Sequence, residues 1–230
     1  MKSEHKSRFL AILDDDKSVQ SALQDLVEAE GMSALCFSSA EQFLNSAARY
    51  KAGCLIADIQ MPGMSGIELQ AKLNFESCQI PIIFLTGRGD IPSTVSAMKC
   101  GAIDFFTKPV DGASLLISLE KALQRDSANR QKMIEHAKVV SRYESLTPRE
   151  REVLHLVAKG LLNKQAAFEL GITEYTVQFH RGHIMRKMEA DSFATLVRLA
   201  DKIRPHISQR QEMAFAVSSE SGKGRSGMSA

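Results

Sequence analysis

The chain has 230 residues, 44% apolar and 24% charged, with 14 Gly and 6 Pro, a composition that excludes collagen-like, mucin-like and wholly disordered proteins. Its formal charge of +2 hides an asymmetry: residues 1–125 hold 12 Lys and Arg against 15 Asp and Glu, a net of −3, while residues 126–230 hold 17 against 12, a net of +5. An acidic front and a basic rear imply two domains with different partners, the rear one suited to a polyanion.

The amino terminus, MKSEHKSRF, is polar and leads into an apolar run of only five residues, too short for a signal-peptide core. No run of about 18 apolar residues, the length needed to span a bilayer, occurs. Cys36, Cys54, Cys78 and Cys100 all lie in the front half without metal or redox spacing, so reduced thiols and a cytoplasmic, membrane-free protein are expected. Short apolar runs then alternate with helix-length amphipathic stretches. The runs Phe9–Leu13, Ala34–Phe37, Cys54–Ala57, Ile82–Leu85 and Ile103–Phe106 predict strands. Helices are predicted near Ser18–Glu30, Ala40–Ala48, Gly66–Leu73, Pro92–Cys100 and Ala113–Gln124. This is the pattern of an α/β doubly wound (βα)5 domain, expected over residues 1–125 with strand order 2-1-3-4-5.

Ligands of such a sheet bind beyond the carboxyl ends of its strands. Strand one is followed by Asp14, Asp15 and Asp16, and strand three by Asp58; Thr86 and Lys108 follow strands four and five. In that strand order the carboxylates crowd one rim, where they repel one another unless a cation intervenes. Hard carboxylate oxygens with open water positions suit Mg2+. A phosphoryl group whose oxygens are shared by the cation, Lys108 and the Thr86 hydroxyl completes the pocket. Asp16 reads as a solvated loop carboxylate, and Gly63 and Gly66 as backbone-geometry residues; no G-x-x-x-x-G-K-[ST] phosphate loop is present.

From Asp126 to Glu144 the chain lacks Gly and Pro, and Met133, Ala137 and Val140 recur at helical spacing. This predicts a helical linker over 126–144 that continues the fifth helix, hinged around Asp126–Arg130 where the apolar stripe lapses. A four-helix unit follows over 145–204. Thr147, Pro148 and Glu150 form a capping box that opens a helix to about Lys159. A short helix Lys164–Leu170, a turn at Gly171, a helix capped by Thr173 that runs to Met188, and a last helix Ser192–Ile203 complete it. Two helices joined by a tight Gly turn, the second basic toward its end, predict a helix-turn-helix. Helical geometry sets Gln178, Phe179, Arg181, Gly182, Met185 and Arg186 on the outer face of the second. The Gly/Ser-rich residues 205–230 are expected to stay disordered.

The strings DDD at 14–16, D-x-x-M-P-x-M-S-G at 58–66, T-G at 86–87 and K-P at 108–109 resemble the receiver domain of two-component response regulators, and TGRGDIPSTVSAMKCGAIDFFTKP resembles the FixJ side of the NarL/FixJ family. Residues 145–204, with LTPREREVL and AAFELGITEYTVQFHRGHIMRKM, resemble the LuxR-type DNA-binding domain. The resemblance implies that Asp58 accepts a phosphoryl group from a sensor histidine kinase, with Asp14, Asp15, Asp58 and the Gln60 backbone carbonyl around Mg2+. It implies a cis Lys108-Pro109 peptide, Thr86 and Lys108 on the phosphoryl oxygens, and Thr86 and Phe105 as the switch pair; many relatives carry Tyr at the latter position. Phosphorylation would then remodel the face made by the Pro92–Cys100 helix, the fifth strand and the helix after it, promote a homodimer, and bring the second domain to promoter DNA, with RNA polymerase as a further partner. Positions 178, 179 and 182 correspond to base-reading positions; Gln178 and Gly182 replace the Lys of some relatives and Phe179 a common Val. Thr176, His180, Arg181, Arg186 and Lys187 suit phosphate contact or packing, and Lys164 a phosphate contact. The chain is thus expected to be a transcription factor whose only chemistry is its own phosphorylation and dephosphorylation. Two alternatives are a receiver-controlled RNA-binding antiterminator and a haloacid-dehalogenase-type phosphatase using Asp14, Asp16 and Ser18. The missing late acidic pair and the unexplained MPGMSG count against the phosphatase.

Overall fold

The five apolar runs become parallel strands in the order β2-β1-β3-β4-β5. They are β1 (Phe9–Leu13), β2 (Ser33–Phe37), β3 (Leu55–Asp58), β4 (Ile82–Thr86) and β5 (Asp104–Thr107). In the computed structural model, residues 8–87, 95 and 97–204 are described. Every residue of β3 and β4 is buried, as central strands covered on both faces require. One side of the sheet carries a core around Phe43, Leu55, Leu69 and Phe84. The other is built on Leu10, Ile12, Ile56, Leu115 and Leu119.

The helices α1 (Lys17–Ala29), α2 (Ala40–Asn45), α3 (Ala48–Lys51) and α4 (Gly66–Phe75) follow β1, β2 and β3. The expected single helix Ala40–Ala48 is divided because Ser46 is extended and its Oγ accepts the Ala48 backbone N–H at 3.1 Å. Of the expected Pro92–Cys100 helix, residues 95 and 97–99 are helical and the others lie outside the described residues, as does the expected tail 205–230.

The expected hinge at Asp126–Arg130 is absent, because α5 (Gly112–Glu144) runs through it without interruption. The lapse in the apolar stripe marks a buried polar cluster instead. Asp126 is only 4% exposed, ion-paired with Arg8 and with Arg130 Nε at 2.8 Å. Arg130 also donates to the carbonyls of Tyr50 (3.0 Å) and Ala52 (2.9 Å), fixing the helix to the chain that leads into β3. The chain divides into compact units only beyond this cluster, between Gln131 and Lys132.

The second unit contains the end of α5, α6 (Pro148–Ala158), α7 (Asn163–Leu170), α8 (Glu174–Lys187) and a helical segment 193–204. Val153, Leu154, Val157, Val177, Ile184, Met188 and Leu196 form its core with Val139 and Tyr143 of α5. The turn between α7 and α8 depends on Gly171, whose φ of +63° closes α7 in the left-handed region.

Asp126→Ala is expected to destabilise the first unit by about 1–3 kcal/mol, because two cations lose their shared carboxylate. The loss stays below that of a fully buried pair since the Arg8 and Arg130 side chains remain 34% and 29% exposed. A urea midpoint equal to that of the parent would contradict this role.

Candidate functional site

Strand register gathers the expected strand-end residues on one rim. Leu13 pairs with Ala57, Asp58 with Leu85 and Thr86 with Thr107, so Asp14, Asp58, Thr86 and Lys108 emerge side by side. Asp14, Asp58 and Thr86 are buried at 1%, 6% and 2% exposure. One carboxylate oxygen from each of Asp14, Asp15 and Asp58 lies within 4.8 Å of the others. Lys108 Nζ donates to Asp14 Oδ2 at 2.6 Å and to Asp58 Oδ2 at 2.5 Å. The remaining oxygens are oriented by the backbone: Asp14 Oδ1 accepts the Asp16 N–H at 3.0 Å and Asp58 Oδ1 the Gln60 N–H at 2.9 Å.

One ammonium among three carboxylates leaves the cluster short of positive charge. Burial pushes the Asp14 carboxyl above its ordinary range despite the hydrogen bond from Lys108. Burial acts against the charge of Lys108, but its hydrogen bonds to Asp14 and Asp58 hold the ammonium above its ordinary value. Three hard oxygen donors around one short-range centre, with net charge −2 after Lys108 is counted, fit a divalent cation such as Mg2+.

Several neighbours shape the site. Asp16 is solvent-exposed, as expected, and is also the N-cap of α1, accepting from Ser18 N at 2.8 Å and Ser18 Oγ at 2.6 Å. Gly66 is required by close approach: a Cβ there would sit 2.4 Å from the Asp58 carbonyl oxygen and 3.0 Å from the Phe84 ring. The Gly66 N–H folds the loop back onto Ile59 O at 3.0 Å. Phe105 is partly buried against the core that contains Phe84, and Lys108-Pro109 is cis. Gln20 carried no signal in the sequence, yet its Nε2 bridges the carbonyls of Asp14 (2.6 Å) and Phe37 (3.0 Å), tying the ends of β1 and β2 together.

In the second unit, Gln178, Phe179, Gly182 and Arg186 are exposed on α8, and Lys164 is exposed on α7. Two residues of the expected outer face, Arg181 and Met185, and the expected phosphate-contact or packing residue Lys187 are engaged inside the unit. Arg181 donates to Asn163 Oδ1 and lies 4.7 Å from the Phe193 ring centroid. Met185 packs partly against the core. Lys187 Nζ reaches Glu150 Oε2 at 2.7 Å. Glu150 therefore has two tasks, because the same residue closes the capping box of α6 with Thr147. Capping boxes are legible in sequence, but a carboxylate shared with a lysine 37 positions later is not.

Comparisons with known proteins agree with both halves. The family model of the response regulator receiver domain matches residues 10–120, and that of bacterial regulatory proteins of the luxR family matches residues 144–200. The chain is similar to the response regulator protein TodT of Pseudomonas putida, 46% identical over 88% of this chain and 89% of that one. It is likewise similar to the transcriptional regulatory protein FixJ of Azorhizobium caulinodans, 38% identical over 82% and 90%. Among solved structures, response regulator StyR aligns with a TM-score of 0.73 at 45% identity over 85% of this chain and 98% of that chain. Full-length FixJ from B. japonicum aligns with a TM-score of 0.52 at 34% identity over 85% and 97%.

Burial opposes ionisation of Glu150, but the bonds from Lys187 and Thr147 outweigh it and hold its carboxyl below the ordinary value of 4.5. A depressed carboxyl contributes stability that is present above its ordinary value and lost as pH falls through its lowered value. Glu150→Gln is accordingly expected to lower the stability of the second unit at pH 7 by about 1–3 kcal/mol, with the difference from the parent shrinking below pH 4.5. Thermal unfolding across pH tests this, and a difference independent of pH would contradict it.

Proposed function

The chain belongs to the NarL/FixJ family of two-component response regulators, transcriptional regulators that join a receiver domain to a LuxR-type DNA-binding domain, and on that premise we propose that Asp58 is its phosphoacceptor and the exposed face of α8 its DNA-reading surface. The observation that carries the first assignment is the pair of Lys108 hydrogen bonds that draws Asp14 and Asp58 to one buried point at the strand ends. We take the receiver as residues 1–125, the helical linker as 126–144 and the DNA-binding domain as 145–204.

Receiver domains bind Mg2+ at an acidic pocket of this kind. Asp14, Asp15, Asp58 and the Gln60 carbonyl would hold the ion here, and it supplies charge neutralisation of the crowded carboxylates and of the incoming phosphoryl oxygens. Asp58 Oδ attacks the phosphorus of a phosphohistidine on a sensor kinase. A P–O bond forms as the P–N bond breaks, and the histidine leaves with its nitrogen lone pair restored. Lys108, already on Asp58 Oδ2, follows the charge onto the phosphoryl oxygens, and the Thr86 hydroxyl approaches from β4. Movement of Thr86 frees space that Phe105 enters, which changes the receiver surface around β5. A coupling of about 1–3 kcal/mol between phosphorylation and assembly shifts affinity about 5- to 150-fold. A dimer formed this way presents two α8 helices to half-sites about one helical turn apart.

On DNA, Lys164 and Arg186 contact phosphates while Gln178, Phe179 and Gly182 face the bases. Arg181 and Lys187 serve chiefly to hold α8 in place, through Asn163 and Glu150. The helix pair about Gly171 favours duplex DNA over the RNA hairpins an antiterminator output would need.

Incubation with acetyl phosphate and Mg2+ is expected to yield one hydroxylamine-labile acyl phosphate, present in the parent and absent from Asp58→Asn. A label that survives Asp58→Asn and disappears from Asp14→Asn would contradict the assignment. Mg2+ alone at a hundred times its dissociation constant is expected to stabilise the parent by about 2.7 kcal/mol. Asp14→Asn should lose most of that increment in a thermal melt, and an undiminished increment would remove Asp14 from the cation site.

A further inference from the structure

The outer face of α8 carries fewer cations than its sequence suggests, because Arg181 and Lys187 are both turned to partners within the unit. Gly182 presents no side chain, and nothing lies within 4 Å of where its Cβ would be. The aromatic side chains that project are Tyr175 at the start of α8, 78% exposed, and Phe179 in its middle, 56% exposed, on a helix that buries Val177 and Ile184 on its other side. The Phe179 ring is held: the centroid lies 4.4 Å from that of His183 with the planes at 41°. His183 Nδ1 is 4.0 Å from Glu150 Oε1. Glu150 is itself 4% exposed and is fixed by the Thr147 N–H at 2.8 Å and by Lys187. A chain of contacts thus runs from the capping box of α6 to an aromatic ring on the exposed face of the recognition helix.

A phenyl ring neither donates nor accepts conventional hydrogen bonds, so it cannot read the donor and acceptor pattern of base edges. The apolar feature the major groove offers it is the C5-methyl group of thymine. Gln178, the adjacent exposed residue, has the amide needed for bidentate pairing with adenine. We infer that Phe179 is a specificity-determining residue that reads a thymine methyl in each half-site, with His183, backed by Glu150, as the positioning residue that sets its ring. The inference rests on the reading that α8 enters the major groove. It assigns the operator an A·T pair at the Phe179 position, where a cationic reader would select guanine.

Duplexes selected from a random pool by the full-length phosphorylated protein provide the test, with each thymine then replaced singly by deoxyuridine to delete only the methyl. Burying one methyl is worth roughly fourfold in affinity. The parent should lose about that factor at one or two thymines per half-site. Phe179→Ala should bind thymine and deoxyuridine equally there, and Phe179→Leu should retain part of the preference. His183→Ala should move the thymine-to-deoxyuridine ratio toward one while the salt dependence of binding, set by phosphate contacts, stays unchanged. A selected duplex that tolerates deoxyuridine at every position, or a Phe179→Ala protein with the parental ratio, overturns the inference while leaving DNA binding standing. A parental ratio in His183→Ala overturns the positioning role. Failure to select any duplex overturns the reading of α8 itself, and the inference with it.

Discussion

The hydrogen bonds of Lys108 to Asp14 and Asp58 define the constraint on which the receiver is organised. Two carboxylates buried at neighbouring strand ends repel each other, and burial already pushes Asp14 upward. A raised carboxyl costs folding free energy at neutral pH, where it must ionise, and the cost is relieved by protonation or by a cation. Lys108 offsets part of it. The rest is compensated by the fold: both central strands are fully buried, and cores on both faces of the sheet hold the rim in register. The domain thus retains an electrostatic deficit at one point, where a divalent cation and a phosphoryl group can act on it.

The DNA-binding unit uses buried charge differently. Glu150 is satisfied by its own helix cap and by Lys187, so it orients α8 rather than waiting for a ligand. Directing Arg181 and Lys187 to structural partners leaves Gln178, Phe179 and Arg186 among the outward side chains of α8, together with Glu174 and Tyr175. On the proposed reading, affinity for the phosphate backbone and selection among bases would be carried by different residues.

Most of the receiver was legible in sequence because fully buried parallel strands are continuous apolar runs, and their polar terminators fall where the register aligns them. The Thr147 capping box and the Gly171 turn were legible for the same local reasons. Long-range partners of charged groups were not. The lapse of the apolar stripe at Asp126 reads as a hinge in sequence, whereas the structure fills it with Arg8, 118 residues away. Asp16 is solvated as the sequence suggests, but its bond from Ser18 N, which caps α1, was not read from it. For Arg181 and Lys187 the sequence leaves phosphate contact and packing open, and it does not name Asn163 and Glu150 as their partners within the unit. In each case the residue type declares a charge, and only tertiary structure names its partner.

The claim that joins the two halves is that chemistry at Asp58 controls binding by α8. It is tested most directly by the equilibrium affinity of the full-length protein for a selected two-half-site duplex, measured by fluorescence anisotropy at fixed salt before and after verified phosphorylation of the same preparation. The account predicts a gain of about 5- to 150-fold on phosphorylation. Equal affinity in the two states, with the acyl phosphate shown to be present throughout, would contradict it.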